Sequence, residues 1–154
     1  MTLKNMNLTN QLSEIQVNYN PKIKASDMVK VITSKDAYEC FKHIWSDKIN
    51  YVEESIMLLL NRANKVLGWV KLSSGGITGT VIDQRMVLQI ALKTNACSII
   101  LSHNLPSGNL KPSDTDIKLT KSIKEGGSIM EIALLDHLII TDEGYYSFAD
   151  EGMI

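Results

Sequence analysis

The chain contains few of the side chains that most often bind transition metals. Its 154 residues include only three histidines and two cysteines, which are His43, His103, His137, Cys40 and Cys97. The cysteines form no Cys-x-x-Cys pair and Cys97 lies in an apolar run, so we expect both to be reduced core residues rather than ligands or a disulfide. Any zinc site must therefore draw on the histidines and on carboxylates.

A strong charge of one sign and long apolar runs are also missing. The 16 basic and 17 acidic residues give a net charge of -1, so no global field favours nucleic acid or anionic lipid. The longest apolar run, residues 56–60, is much shorter than the roughly 20 residues of a membrane span. The opening segment MTLKNMNLTNQL lacks the apolar core of a signal peptide. We therefore expect no membrane association and a cytoplasmic location.

Length and composition predict one ordinary globular domain. With 44% hydrophobic residues, a chain of this size buries roughly 70% of the surface that its unfolded form exposes, so its core needs neither a disulfide nor a metal. Residues 1–34 are polar and irregular, and we predict an N-terminal arm there. Within it, Ile15, Val17 and Tyr19 alternate in the manner of an edge strand. Residues 35–154 are predicted to form the domain itself.

Apolar spacing predicts a helix followed by a hairpin at the start of this domain. Ser34 is a candidate N-cap for an amphipathic helix that reaches about residue 48. Two apolar runs, residues 52–60 and 65–72, flank the turn-forming segment Asn-Arg-Ala-Asn and predict an antiparallel hairpin. The β-branched segment 77–82 predicts a third strand.

The following residues predict a helix, a buried strand, a loop and another helix. Asp83 is placed to cap the first of these helices, and the run CSIIL at residues 97–101 is typical of a strand buried on both faces. Turn-forming residues fill 102–112. Ser113 then opens a helix that the Gly-Gly pair at 126–127 is expected to close.

A second hairpin is predicted at the end of the chain, from residues 132–141 and 145–148 around Asp-Glu-Gly. Helices and strands thus alternate along the sequence. This alternation indicates an α/β or α+β fold with a mixed sheet.

The loop after the buried strand carries the most informative motif. It reads HNLPSG at residues 103–108, followed by PSDTD at 112–116. This stretch resembles the H-x-H-P…S-x-x-D signature of the JAB/MPN metalloprotease superfamily, in the form found in the RadC family of DNA repair proteins. The resemblance covers about residues 35–154 and implies the cytidine deaminase-like JAB/MPN fold, a curved mixed sheet flanked by helices. It extends to four further segments: LLLNRANKVLG (58–68), the Gly-Gly and TVID segment (75–83), ALLDHLII (133–140) and YYSFADEG (145–152).

The resemblance also implies a zinc site and assigns its residues. His103 and Asp116 correspond to zinc ligands, Glu53 to the general base that deprotonates the zinc-bound water, and Ser113 to a hydroxyl that bonds the oxyanion. Glu54 is the adjacent alternative to Glu53, because strand alternation allows only one of the two to face the site.

The second histidine of the signature is replaced by Leu105, which has no lone pair for a metal. His103 and Asp116 then remain as two ligands, whereas catalytic zinc sites normally have three from the protein. His137 and His43 are conceivable replacements, but neither has a motif spacing that argues for it. We therefore expect tight zinc binding to fail.

Several of these residues also have ordinary structural interpretations. Ser113 and Asp116 have the spacing of a helix capping box. Asp136 and His137 match the LLDHLI motif, and in an apolar strand they predict structural hydrogen bonds rather than a catalytic dyad. Ser55 stands where the family usually has phenylalanine, which predicts looser packing around Glu53.

Two functions of different classes follow from the sequence. One is a zinc-dependent metallohydrolase that cleaves an amide or isopeptide bond in a protein or peptide substrate. The other is a catalytically inactive binding or scaffold module in DNA repair or recombination, as the family's historical name suggests. Direct DNA contact has weak support, because the nearest approach to a basic patch alternates with acidic residues and predicts a solvated face; its members are Lys111, Lys118, Lys121 and Lys124. The sequence does not fix an oligomeric state.

Overall fold

The computed structural model describes residues 11–45, 49–75 and 81–154. These residues form a five-stranded mixed sheet with three α-helices, which confirms the predicted fold class. In chain order the elements are α1 (Ser34–Trp45), β1 (Glu54–Leu60), β2 (Val66–Ser74), α2 (Gln84–Lys93), β3 (Ser98–Asn104), α3 (Asp114–Ile129), β4 (Ala133–Ile140) and β5 (Tyr145–Ser147), with a short 3-10 helix at Ala25–Asp27.

The sheet has the strand order β2-β1-β3-β4-β5. β1 is antiparallel to both β2 and β3, and β4 is antiparallel to β5, so both predicted hairpins are confirmed. β3 and β4 are parallel, and parallel neighbours require a crossover connection, which α3 supplies here. Every residue of the central strand β3 is buried, as the continuous apolar run predicted.

Helices cover both faces of the sheet and create two apolar cores. On one face α1 packs Phe41 and Trp45 against even-numbered residues of β1 and β3, such as Ile56 and Ile100. On the other face α2 and α3 pack against odd-numbered residues of the same strands, which include Met57, Leu59, Ile99 and Leu101. In the part of the chain that the structure describes, no helix is both long and apolar enough to cross a bilayer.

The N-terminal arm contacts the first hairpin without adding a full strand. The alternating residues 15–19 contain no strand, although the Tyr19 hydroxyl donates to the carbonyl of Leu67 at 3.3 Å. Pairing occurs later, where Lys30 forms an isolated bridge with Lys65. Of the predicted strand at 77–82, residues 77–80 lie outside the described residues, and the two that are described, Val81 and Ile82, are not in a strand.

The cap of α1 lies one residue before the predicted one. Thr33, not Ser34, closes the helix start, because its hydroxyl accepts from the amide of Asp36 at 3.2 Å and the Asp36 carboxylate accepts from the amide of Thr33 at 2.9 Å. Ser34 instead bonds Tyr145 and Asp150 near the end of the chain. Adjacent threonine and serine residues are both good N-cap candidates, and tertiary contacts decide which of them caps the helix.

Two further boundaries differ from the sequence prediction, and both affect the site. β3 continues to Asn104, so His103 lies within the strand and not in the loop that follows it. α3 continues through Gly126 and Gly127 to Ile129. These glycines serve close packing instead of ending the helix, since a β-carbon on Gly127 would lie 2.5 Å from the carbonyl oxygen of Ile132.

The two glycines provide a matched test of this packing. Gly127→Ala should destabilise the domain by about 1–3 kcal/mol, because the added carbon meets backbone that must shift. Gly126→Ala should be neutral or stabilising, because the added carbon lies 3.3 Å from a flexible leucine side chain, Leu88, and alanine favours helix by about 1 kcal/mol over glycine. Urea unfolding midpoints of the two variants test the difference, and equal midpoints would contradict it.

Candidate functional site

The site lies at the carboxyl end of β3, beside the start of α3. His103 is the centre of this site and is 6% exposed. In the sheet it pairs with Ser55 on β1 and with Ile139 on β4. Its Nε2 atom lies 3.7 Å from Oδ1 of Asp116 in the first turn of α3. The structure therefore brings together the two residues that the motif assigned as ligands.

Glu53, and not Glu54, is the glutamate at this site. Glu53 precedes β1 by one residue and alternates with Ser55, so it lies on the face of His103. Its charge also acts on the ring of His103. Glu54 lies on the opposite face, where Lys71 Nζ is 2.8 Å from its carboxylate. The alternative that the sequence left open is thus resolved by strand alternation and by a salt bridge.

Ser113 and Asp116 form the capping box that their spacing predicted. The Asp116 carboxylate accepts through Oδ2 from the amide of Ser113 at 2.9 Å and from its hydroxyl at 2.7 Å. The same hydroxyl accepts from the amide of Asp116 at 3.1 Å. The two oxygens of Asp116 therefore have different functions, since Oδ2 closes the helix and Oδ1 faces His103. The Ser113 hydroxyl is committed to the cap.

Asn104 is a positioning residue whose role the sequence motif does not reveal. Its side chain is completely buried, and its Oδ1 accepts from the amide of Glu54 at 2.7 Å. Its Nδ2 donates to the carbonyls of Ile49 and Val52 at 2.7 and 2.8 Å. These three bonds fix the segment that carries Glu53 against the end of β3. A polar residue directly after His103 was the only signal in the sequence, and it does not say which segment the side chain reaches.

His137 joins the site from the neighbouring strand. Its Nε2 lies 3.0 Å from Nδ1 of His103, and its Nδ1 lies 2.7 Å from the hydroxyl of Thr120 in α3. The ring is completely buried and stacks on Phe148, with ring centroids 4.8 Å apart. Spacing in the sequence gave no reason to connect His137 with His103, because the contact depends on the register of β3 and β4.

Asp136 and His137 do not form a dyad, in agreement with the prediction. The Asp136 carboxylate accepts from the backbone amides of His137 and Ala149 at 2.7 and 3.0 Å and from the hydroxyl of Ser147. Its contact with His137 is to the backbone and not to the ring. Burial raises the pKa of Asp136, and these hydrogen bonds oppose that effect.

Burial favours the neutral form of both histidines of the site. Burial lowers the pKa of His103 below its usual 6.5, although the carboxylates of Asp116 and Glu53 act in the opposite direction. Burial, reinforced by the adjacent His103, lowers the pKa of His137 further below 6.5. A neutral imidazole keeps one ring nitrogen with a free lone pair, so the site can donate an electron pair.

The residues present do not fit a catalytic zinc ion. Leu105 occupies the place of the second ligand, with its amide bonded to the carbonyl of Ile140 at 2.9 Å. His137 does not replace that ligand, because both of its ring nitrogens have partners. His43 is exposed on α1, which covers the other face of the sheet. Among the described residues, no group of three His, Cys, Asp or Glu side chains could hold a metal.

A family model described as a RadC-like JAB domain matches residues 31–153. The chain belongs to this family. The match confirms the resemblance that the motifs indicated and the fold that it implied. RadC-like JAB domains are metallopeptidase-like, and the family is generally associated with zinc.

Curated relatives of the domain come from bacteria and from an archaeon. A UPF0758 protein of Flavobacterium johnsoniae is 44% identical over 133 residues, which covers 84% of this chain and 57% of the relative. Another from Porphyromonas gingivalis is 44% identical over 66% of this chain and 45% of its own length. One from Methanosarcina mazei is 33% identical over 99% of this chain and 73% of its own length. The domain thus spans about half the length of the first two relatives.

The buried histidines predict that the domain loses stability on mild acidification. Because the pKa values of His103 and His137 are lower in the folded state than their usual 6.5, the unfolded chain binds protons that the folded chain does not. The folded state therefore has its full stability above about pH 6.5. As the pH falls below that value, the free energy of unfolding decreases by up to about 1.4 kcal/mol per pH unit for each ring. Urea unfolding between about pH 8 and pH 5.5 measures the slope.

A variant at one of the two buried rings tests their part in this dependence. His137→Gln removes the ring whose pKa burial lowers further, so it should reduce the pH slope. A free energy of unfolding that is constant over this range in the unmodified protein would show that the buried rings take up protons without unfolding.

Proposed function

We propose that this RadC-like JAB domain has the site of a zinc metallopeptidase but does not hold the zinc, and that it acts as a binding or scaffold module. The observation that carries this proposal is Leu105. Its aliphatic side chain supplies no lone pair at the position of a ligand, and no other described side chain takes that position. A catalytic zinc normally has three protein ligands, and His103 and Asp116 provide two.

A second departure from the family pattern lies next to the same histidine. Ser55, which stands where the family usually has phenylalanine, is the strand partner of His103. Its hydroxyl is fully buried and has no hydrogen-bond partner among the described residues, and an unpaired buried hydroxyl is destabilising. Ser55 pairs with His103 and Leu105 follows it by two residues. Both departures from the family pattern next to this histidine are in keeping with the loss of a catalytic role.

Ser113 supports the same proposal. A hydroxyl that stabilises an oxyanion must be free to donate to it. Here the Ser113 hydroxyl already donates to Asp116 within the helix cap. The role of Ser113 as the N-cap of α3 is enough to explain a serine at this position without a catalytic function.

A polypeptide is the partner that we favour, and any role in DNA repair or recombination would then act through protein contacts. On α3 the exposed lysines Lys118, Lys121 and Lys124 are flanked by the exposed acidic residues Asp114 and Glu125, which reduce the positive charge that phosphate binding needs. The two cysteines are free thiols, in keeping with a reducing compartment such as the cytoplasm.

A zinc-dependent hydrolase acting on amide or isopeptide bonds is the second candidate. Its support is the proximity of His103, Asp116 and Glu53 at one end of β3. The two candidates differ in whether the unmodified chain binds zinc.

Leu105→His should create a zinc site that the unmodified chain lacks, because it adds the third ligand beside His103 and Asp116. After metal-free purification and dialysis against zinc, we expect about one zinc per chain in the variant and almost none in the unmodified protein. Elemental analysis of the dialysed proteins measures both. Leu105→Asn is the matched control, since it adds polarity but no imidazole.

A second pair of changes locates the zinc. Asp116→Asn in the Leu105→His background should abolish the gained binding, whereas Asp114→Asn, on an exposed acidic residue of the same helical turn, should preserve it. Zinc bound by the unmodified protein as tightly as by Leu105→His would favour the hydrolase and refute the proposal.

A further inference from the structure

A continuous chain of hydrogen bonds runs from α3 to the centre of the site. The hydroxyl oxygen of Thr120 lies 2.7 Å from the carbonyl oxygen of Asp116 and 2.7 Å from Nδ1 of His137. Nε2 of His137 then lies 3.0 Å from Nδ1 of His103. The side chains of Thr120, His137 and His103 are all buried, so water does not compete for these hydrogen bonds.

The positions of the hydrogens follow from the Thr120 hydroxyl, which has only one. Two oxygens at 2.7 Å repel each other unless a hydrogen lies between them, so the hydroxyl donates to the carbonyl of Asp116. It must then accept from His137, whose proton is therefore on Nδ1. A neutral imidazole has a single N–H, so Nε2 of His137 accepts in turn from Nδ1 of His103.

The reverse order of donors is less favourable. It would make Thr120 donate to His137 and would leave the short contact between Thr120 and the carbonyl of Asp116 without a hydrogen. It would also put a proton on Nε2 of His103, whose nearest carboxylate oxygen, on Asp116, is 3.7 Å away. That distance is too long for a hydrogen bond.

We propose that Thr120 and His137 are positioning residues that hold His103 in the tautomer with its proton on Nδ1, so that the lone pair of Nε2 faces Oδ1 of Asp116. The neutral histidine side chain in water carries its proton mainly on Nε2, so the protein must impose this tautomer on His103. His103 then acts toward any ligand only as a hydrogen-bond acceptor or an electron-pair donor. The tautomer does not depend on whether a metal binds.

Nitrogen-15 NMR of the histidine rings tests the proposal directly. Long-range proton–nitrogen correlations at neutral pH distinguish a protonated from an unprotonated ring nitrogen, and His103→Gln assigns the signals. In the unmodified protein we expect one tautomer of His103, with Nδ1 protonated and Nε2 bare. The exposed His43 provides an internal reference for an imidazole in water. A His103 ring with its proton on Nε2 would overturn the proposal.

Substitutions at Thr120 separate positioning from simple packing. Thr120→Val keeps the shape but removes the hydroxyl, so His103 should lose its single tautomer and gain the form protonated on Nε2. Thr120→Ser keeps the hydroxyl and should therefore give the same tautomer of His103 as the unmodified protein. Thr94→Val is the matched control, because it removes a similar hydroxyl-to-carbonyl bond at the C-terminal end of α2, from Thr94 to Ile90 at 2.9 Å, and should leave the spectrum unchanged.

An unaltered His103 tautomer in folded Thr120→Val would also overturn the proposal. If Thr120→Val does not fold, Thr120→Ala removes the same hydroxyl without a branched side chain and gives the same comparison.

Discussion

The parallel pairing of β3 and β4 determines what can surround His103. Because parallel neighbours need a crossover, the chain leaves β3, forms α3 on one face of the sheet and returns as β4. The start of α3 consequently lies at the same edge as the end of β3, where Asp116 approaches one nitrogen of the ring. The same pairing brings His137 to the other nitrogen. Both contacts therefore depend on a single topological constraint.

Protein groups satisfy most of the polar atoms at this edge of the sheet. Asn104 ties the segment before β1 to the end of β3, Asp116 Oδ2 caps α3, and Thr120 and His137 bond one another. Buried polar networks of this kind are stable when their members are paired. These polar side chains around His103 therefore have partners within the protein, and Leu105 follows Asn104 at the position of the signature's second histidine.

Local signals predicted the elements, whereas contacts between distant segments decided the details of the site. Caps such as Asp83 and Ser113 and the turns of both hairpins are encoded within a few residues, and the sequence predicted them. The Gly-Gly pair at 126–127 is typical of a helix end, but α3 continues past it. Gly127 is instead required because the carbonyl of Ile132 packs too closely for a β-carbon. The contact of His103 with His137 depends on strand register, which no local pattern contains.

The family motif predicted which residues meet at the site but not how they are used. It placed His103, Asp116 and Glu53 together, and alternation in β1 resolved the choice between the two glutamates. It also suggested catalysis for Ser113, whose hydroxyl the structure commits to a helix cap. The missing ligand was visible in the sequence as Leu105, and the structure adds that both nitrogens of His137 are already bonded.

Anomalous X-ray scattering at the zinc edge tests the central claim most directly. Crystals of the unmodified protein grown with excess zinc should show no ordered peak between Nε2 of His103 and Oδ1 of Asp116. A strong peak at that position, coordinated by both residues and a third protein ligand, would contradict the claim that this domain has lost its zinc.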